Sequence, residues 1–119
     1  MKNKIKKILL LLSIFALAGC AEDFKKYDFK KINGSKKTTV RLEALQGQKA
    51  VHAINIRIIG SIDGKGHIAW GATQKNKDIS GKVDLNWSNE WYEPNCEIEY
   101  TPITAKSGEL KIYYKFEDI

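Results

Sequence analysis

The chain has 119 residues, with 20 Lys and Arg against 14 Asp and Glu, a formal net charge of +6, two histidines and two cysteines. That length suits one domain around one hydrophobic core. Two His and two Cys are too few for a spaced zinc set, and no HExxH, no GxSxG elbow and no phosphate-cradling glycine loop leading into a helix occurs.

The first element is an export signal. Lys2, Lys4, Lys6 and Lys7 precede Ile8 to Leu17, which is apolar except for Ser13, and Ala18-Gly19-Cys20 follows. A basic start, a short apolar run and small residues before a cut have this order. The run is too short to span a ~30 Å hydrocarbon core, which takes about 20 helical residues, and the lysines stand on the cytoplasmic side. Leu17-Ala18-Gly19-Cys20 resembles the lipobox of bacterial lipoproteins. The resemblance covers only the first 20 residues. It implies that residues 1–19 are removed, that Cys20 becomes the first residue, and that its sulfur carries a diacylglyceryl group anchoring the chain to a membrane of the bacterial envelope. In a diderm envelope, Ala21 in place of Asp after the cysteine implies the outer membrane rather than the inner. Four of the 20 basic residues and none of the 14 acidic ones lie in residues 1–19, so the mature chain carries 16 against 14, a net +2. Neither that balance nor export suits a nucleic-acid partner.

Residues 20–37 read as the lipidated N-terminus and a basic tether. Phe24, Tyr27 and Phe29 alternate there with Lys25, Lys26, Lys30 and Lys31. Aromatics among lysines can lie on an anionic membrane; the competing readings are a solvated spacer or a first edge strand with its aromatics packed. From Thr38 to the C-terminus the period becomes two. Val40, Leu42 and Ala44 share one face; so do Ile54, Ile56 and Ile58; Val83, Leu85 and Trp87; Cys96, Ile98 and Tyr100; and Leu110, Ile112, Tyr114 and Phe116. Residues 67–72 add a sixth run. Alternation in β-branched and aromatic residues marks half-buried strands. Asp63-Gly64-Lys65-Gly66 reads as a hairpin turn, residues 74–78 as the next loop, and Pro102 to Gly108 as a third. No stretch keeps helical spacing. The expectation for residues 38–119 is an all-β domain, a small antiparallel β-sandwich or barrel of six to seven strands.

Few residues invite chemistry. With Cys20 modified, Cys96 stands alone on an inward face, where an apolar setting makes a thiol inert. Glu97 and Glu99 share an outward face about 7 Å apart, an ordinary solvated arrangement. His52 shares the face of Ile54, and His67 follows the glycine turn. The stretch Trp87 to Asn95 is different: it collects Trp87, Trp91, Tyr92, Glu90, Glu93, Asn89 and Asn95 in one connection. Flat rings supply contact area, and amides and carboxylates supply direction. Trp91, Tyr92, Glu90 and Asn89 are therefore the candidate binding residues, weighed against a loop that merely closes the core. Glu90, Glu93 and Asn89 lack the ordered spacing of a calcium loop, and the pattern calls for no cofactor. The expectation is a lipid-anchored, non-enzymatic module that recognises another envelope protein as an accessory, inhibitor or exclusion factor. The alternative is a carbohydrate- or peptidoglycan-binding module using the Trp/Tyr loop, and the third reading is an envelope enzyme using Cys96.

Overall fold

A computed structural model describes residues 24–118. The signal segment and Cys20 lie outside the described residues. A single 3-10 turn at Phe24–Lys26 leads into six strands: β1 (Asp28–Asn33), β2 (Thr38–Glu43), β3 (Val51–Trp70), β4 (Asn76–Glu90), β5 (Asn95–Pro102) and β6 (Ser107–Asp118). All pairings are antiparallel, in the order β1-β6-β3-β5-β2, with β4 on the other side of β3. The result is one sheet folded on itself into a nearly closed barrel, the all-β class that the alternation predicts.

The fold-back is built into β3. Its first part, Val51 to Asp63, pairs with β6, and Gly66 to Trp70 pairs with β5. Between them the β3–β4 register shifts at Ile62/Lys65, and Gly64 sits at φ 112°, a conformation that L side chains rarely adopt. The carbonyl of Lys65 accepts the N–H groups of Ile103, Thr104 and Ala105 at 2.9, 3.0 and 3.0 Å, and Lys106 N–H donates to the Asp63 carbonyl at 3.1 Å. Asp63 to Gly66 is therefore a bulged bend inside a 20-residue strand, where the sequence led to a hairpin turn. The glycines bend the strand but do not reverse it, because β4 stays bonded on both sides of the bulge. The chain reverses beyond Trp70, and residues 76–78, expected as loop, begin β4.

A second difference is at the N-terminal boundary. β1 pairs with β6 from Asp28 to Asn33, so the sheet starts ten residues before Thr38. Only Ile32 of β1 is buried, which is why this strand lacks a clear hydrophobic alternation.

The expected inward residues form one core. Ile54, Ile56, Ile58, Ile68, Ile98, Leu110 and Ile112 are almost fully buried, with Trp70 and Tyr100. Each such aliphatic side chain contributes about 1.5–3 kcal/mol through burial. At the bend end the Tyr100 ring packs against Gly66, where a Cβ would stand 2.8 Å from the ring. Its hydroxyl donates to the Gly34 carbonyl at 2.7 Å. That bond ties the β1–β2 turn to β5, with the Tyr100 ring lying against Gly66 of the bent strand. The opposite end, where β3 begins and β6 finishes, carries the surfaces of interest.

Candidate functional site

At that end two aromatic groups lie on opposite flanks. On the β4 flank, Trp91 follows the last residue of β4, and its N–H bonds the His52 carbonyl at 3.0 Å. Its indole Nε1–H donates to the Asn95 carbonyl at 2.8 Å. Its ring lies on Trp70, with centroids 5.4 Å apart and planes at 45°. Trp91 is half-buried against the core, so this residue closes the barrel. Trp87, in register with Val83 and Leu85, is only half-buried because β4 is an edge strand.

The four candidate residues divide. Asn89, Glu90 and Trp91 line an open groove of about 530 Å³ with Ala72, Thr73, Gln74 and Lys75 of the β3–β4 turn. Tyr92 does not line it; the residue is 69% exposed, and its hydroxyl lies 3.4 Å from Glu90 Oε2. The buried half of this arrangement is Trp70. Only its place at the end of an alternating run signals it in sequence.

The other flank holds a more apolar feature. Lys26, Tyr27 and Asp28, Glu43 at the end of β2, Leu45 and Gln48 of the β2–β3 loop, and Tyr114, Lys115 and Phe116 of β6 surround a cleft of about 490 Å³. Ligand sites commonly have volumes of roughly 300–1,000 Å³. Tyr114 and Phe116 are nearly buried and meet edge to face, centroids 6.2 Å apart. Gln48 fixes the loop at the rim: its Oε1 accepts Leu45 N–H and its Nε2 donates to the Phe116 carbonyl, both at 2.8 Å. Leu45, held there, is 64% exposed. Burial raises the Tyr114 phenol above its ordinary pKa, and Asp28, Glu43 and Cys96 add to the rise. The hydroxyl therefore stays protonated and available as a donor. Arg41 Nε pairs with Glu43 at 3.1 Å, and Lys115 Nζ lies 5.8 Å from the Tyr27 ring. The sequence pattern places Tyr114 and Phe116 on an inward face and gives Leu45, which follows the alternating run through Ala44, no role; β2 ends at Glu43, and the loop beyond it turns Leu45 outward.

The cleft offers shape, apolar area and fixed polar groups, which suit non-covalent recognition. Cys96, which faces Leu42 across β2–β5, is 3% exposed. Burial, with a smaller contribution from Glu97, pushes its thiol up to about 12, the reverse of the lowered pKa of a reactive thiolate. His67 Nδ1 engages Asp78 at 2.7 Å across the β3–β4 hairpin. Among the described residues no three His, Cys, Asp or Glu side chains converge as a metal site.

No protein-family model matches the sequence, and no curated protein matches it. Similar solved structures include a de novo designed double-stranded β-helix, at 12% identity and a TM-score of 0.45 over 76% of this chain and 99% of that one. PirA is similar at 15% identity and 0.38, over 79% and 95% of the two chains. The carbohydrate-binding module CBM36, solved with calcium and xylotriose, is similar at 11% identity and 0.31, over 74% and 99%. At these TM-scores none of them bears on what this chain binds.

Proposed function

We propose that the chain is a lipid-anchored binding module of the bacterial envelope, without catalytic activity, and that its cleft recognises a segment of another envelope protein. The observation that carries this reading is Leu45, exposed on the rim above an aromatic floor, with Asp28 and Glu43 on the same rim as Lys26 and Lys115. An apolar side chain entering beside Leu45 would meet Tyr114 and Phe116, while charges of both signs set its direction. The anchor reading rests on Leu17 to Cys20, which precede the 3-10 turn by four residues. Two or more acyl chains hold a protein stably where one does not.

The test is a photo-crosslinking residue in place of Leu45 in the full chain, expressed in its own envelope. One protein adduct is expected, lost when Glu43→Lys and Lys26→Glu reverse the rim charges. Cys20→Ala should abolish lipid labelling and leave uncleaved precursor. The second reading, glycan binding, is favoured by the exposed Tyr92 ring beside the Glu90 carboxylate. It predicts retention on peptidoglycan that Tyr92→Ala removes, and no protein adduct at position 45.

A further inference from the structure

Among the described residues β4 pairs with β3 alone, so one edge of a 15-residue strand has no ladder beside it. Edge strands of this length are usually blunted by proline, by charge or by a bulge, because their unpaired N–H and C=O groups template another strand. β4 contains no proline, and the charges on its outer edge, Lys82, Asp84 and Glu90, are of both signs, so that they repel some strands and suit others. Gly81, at φ 60° opposite the bend in β3, interrupts the edge and leaves Lys82 to Glu90 as a continuous nine-residue run.

The pairing with β3 says which groups face outward. Trp91 N–H bonds the His52 carbonyl, and bonded positions alternate along an antiparallel ladder. Asn89, Trp87, Leu85 and Val83 are then the positions bonded to β3. The N–H and C=O groups of Lys82, Asp84, Asn86, Ser88 and Glu90 point at the open edge. The side chains of these five residues are all exposed.

The geometry points to a second copy of this chain as the occupant, with β4 pairing antiparallel to β4 about a two-fold axis at Asn86. In that register Asn86 faces Asn86, Asp84 faces Ser88, and Lys82 faces Glu90 of the second copy at both ends. All five edge-facing positions then become hydrogen-bonded pairs. Opposite charges directly across a strand pair are favourable, and like charges are not. Centring on Asp84 would set Asp84 against Asp84. Centring on Trp87 would set Asp84 against Glu90. Centring on Leu85 would leave Lys82 facing Ser88, with neither end charge-paired. Centring on Ser88 would run Lys82 onto Pro94, which has no N–H to give. The Asn86 register is also isologous, as a closed dimer requires. On the inner face it sets Leu85 across from Trp87, covering the ring that the edge position leaves half-buried. Asp84 is held in position by the Arg57 guanidinium, both bonds at 2.9 Å. The two barrels would share one sheet running from β1 of one copy to β1 of the other.

The test uses the full chain in membranes, with mild oxidation and a non-reducing gel. Asn86→Cys should give a covalent dimer, because directly paired Cα atoms lie about 5.5 Å apart, within disulfide reach. Asp84→Cys alone should stay monomeric, and Asp84→Cys combined with Ser88→Cys should dimerise. The wild type, with Cys96 buried and the Cys20 sulfur carrying the lipid that the proposed function gives it, should give no dimer. A dimer in the wild type would count against the anchor rather than the strand pairing. These positions are exposed, and continued shielding of Cys96 from maleimide verifies the fold of each variant. A monomer from Asn86→Cys together with one from the double variant overturns the proposal. So does crosslinking by Asp84→Cys alone, or capture of a different protein at position 86.

Discussion

The two flanks at the end of the barrel away from the bend start from similar material and finish differently. Each has an aromatic pair on the core, Trp70 with Trp91 and Tyr114 with Phe116. Each is bordered by a short loop, and the two loops touch through Ala44 N–H bonding the Pro94 carbonyl at 2.8 Å. The loop after β4 turns its own tryptophan inward and fastens it through Asn95. The loop after β2 is fastened by Gln48 with its leucine facing out. Both pairs belong to the core or pack on it, and the flanks differ in which way the neighbouring loop directs one apolar side chain: Trp91 inward onto Trp70, Leu45 outward beside Tyr114 and Phe116.

The largest expected effect breaks the closed flank. Trp70→Ala should cost about 3–5 kcal/mol, as large core truncations do. Trp91→Ala should cost about 2–3 kcal/mol through lost stacking and an opened end. Both are read from denaturant midpoints. A melting temperature unchanged by Trp91→Ala would make that ring a surface group and undo the contrast.

The next effect tests the core that both flanks share. Cys96 has a thiol pushed from an ordinary value near 9 up to about 12. An acid with a raised folded pKa leaves the unfolded chain binding fewer protons once pH exceeds the unfolded value. Its contribution is therefore whole below about pH 9 and is lost as pH rises toward 12. Cys96→Ala should be less stable than the wild type at neutral pH, through the small cavity it leaves. Its stability should fall less steeply than that of the wild type between pH 9 and 12. Equal slopes would mean that the thiol is not shielded.

The smallest effect on stability sharpens the open flank. Leu45→Ser should change stability by less than about 0.5 kcal/mol, as exposed substitutions do. Capture of the proposed envelope partner, measured by co-purification from membranes, should nonetheless fall several-fold. Destabilisation comparable to that of Trp91→Ala would show that Leu45 belongs to the core.

Much of the fold was legible because alternation reports burial directly. Ile54, Ile56 and Ile58, or Leu110, Ile112 and Tyr114, face the same way in the barrel as they do in the pattern. The bend was misread because a bulge and a hairpin turn ask for the same thing at Gly64, a backbone free to adopt positive φ. What distinguishes them is the continuous β4 partner, which local sequence does not reveal. β1 was hard to see because Asp28 and Lys30, in phase with Ile32, are exposed and stayed polar. The cleft was the least legible feature. Its residues run from Lys26 to Phe116 and become neighbours only once β1 is laid on β6 and β2 on β5.

That last arrangement governs when the molecule can become complete. A ribosome delivers β1 and β2 first, yet their partners β6 and β5 are the last strands made. The β3–β4 hairpin can zip up from contacts close in sequence, but the two leading strands must wait for the C-terminal third of the chain. Pairings of such long separation are the slow ones and expose unpaired edges meanwhile. Truncation even a few residues into β6 would therefore strip the Asp118 contact to Ala50 and then the floor of the cleft. The earliest-made part of the barrel would be left holding an edge with nothing to receive it.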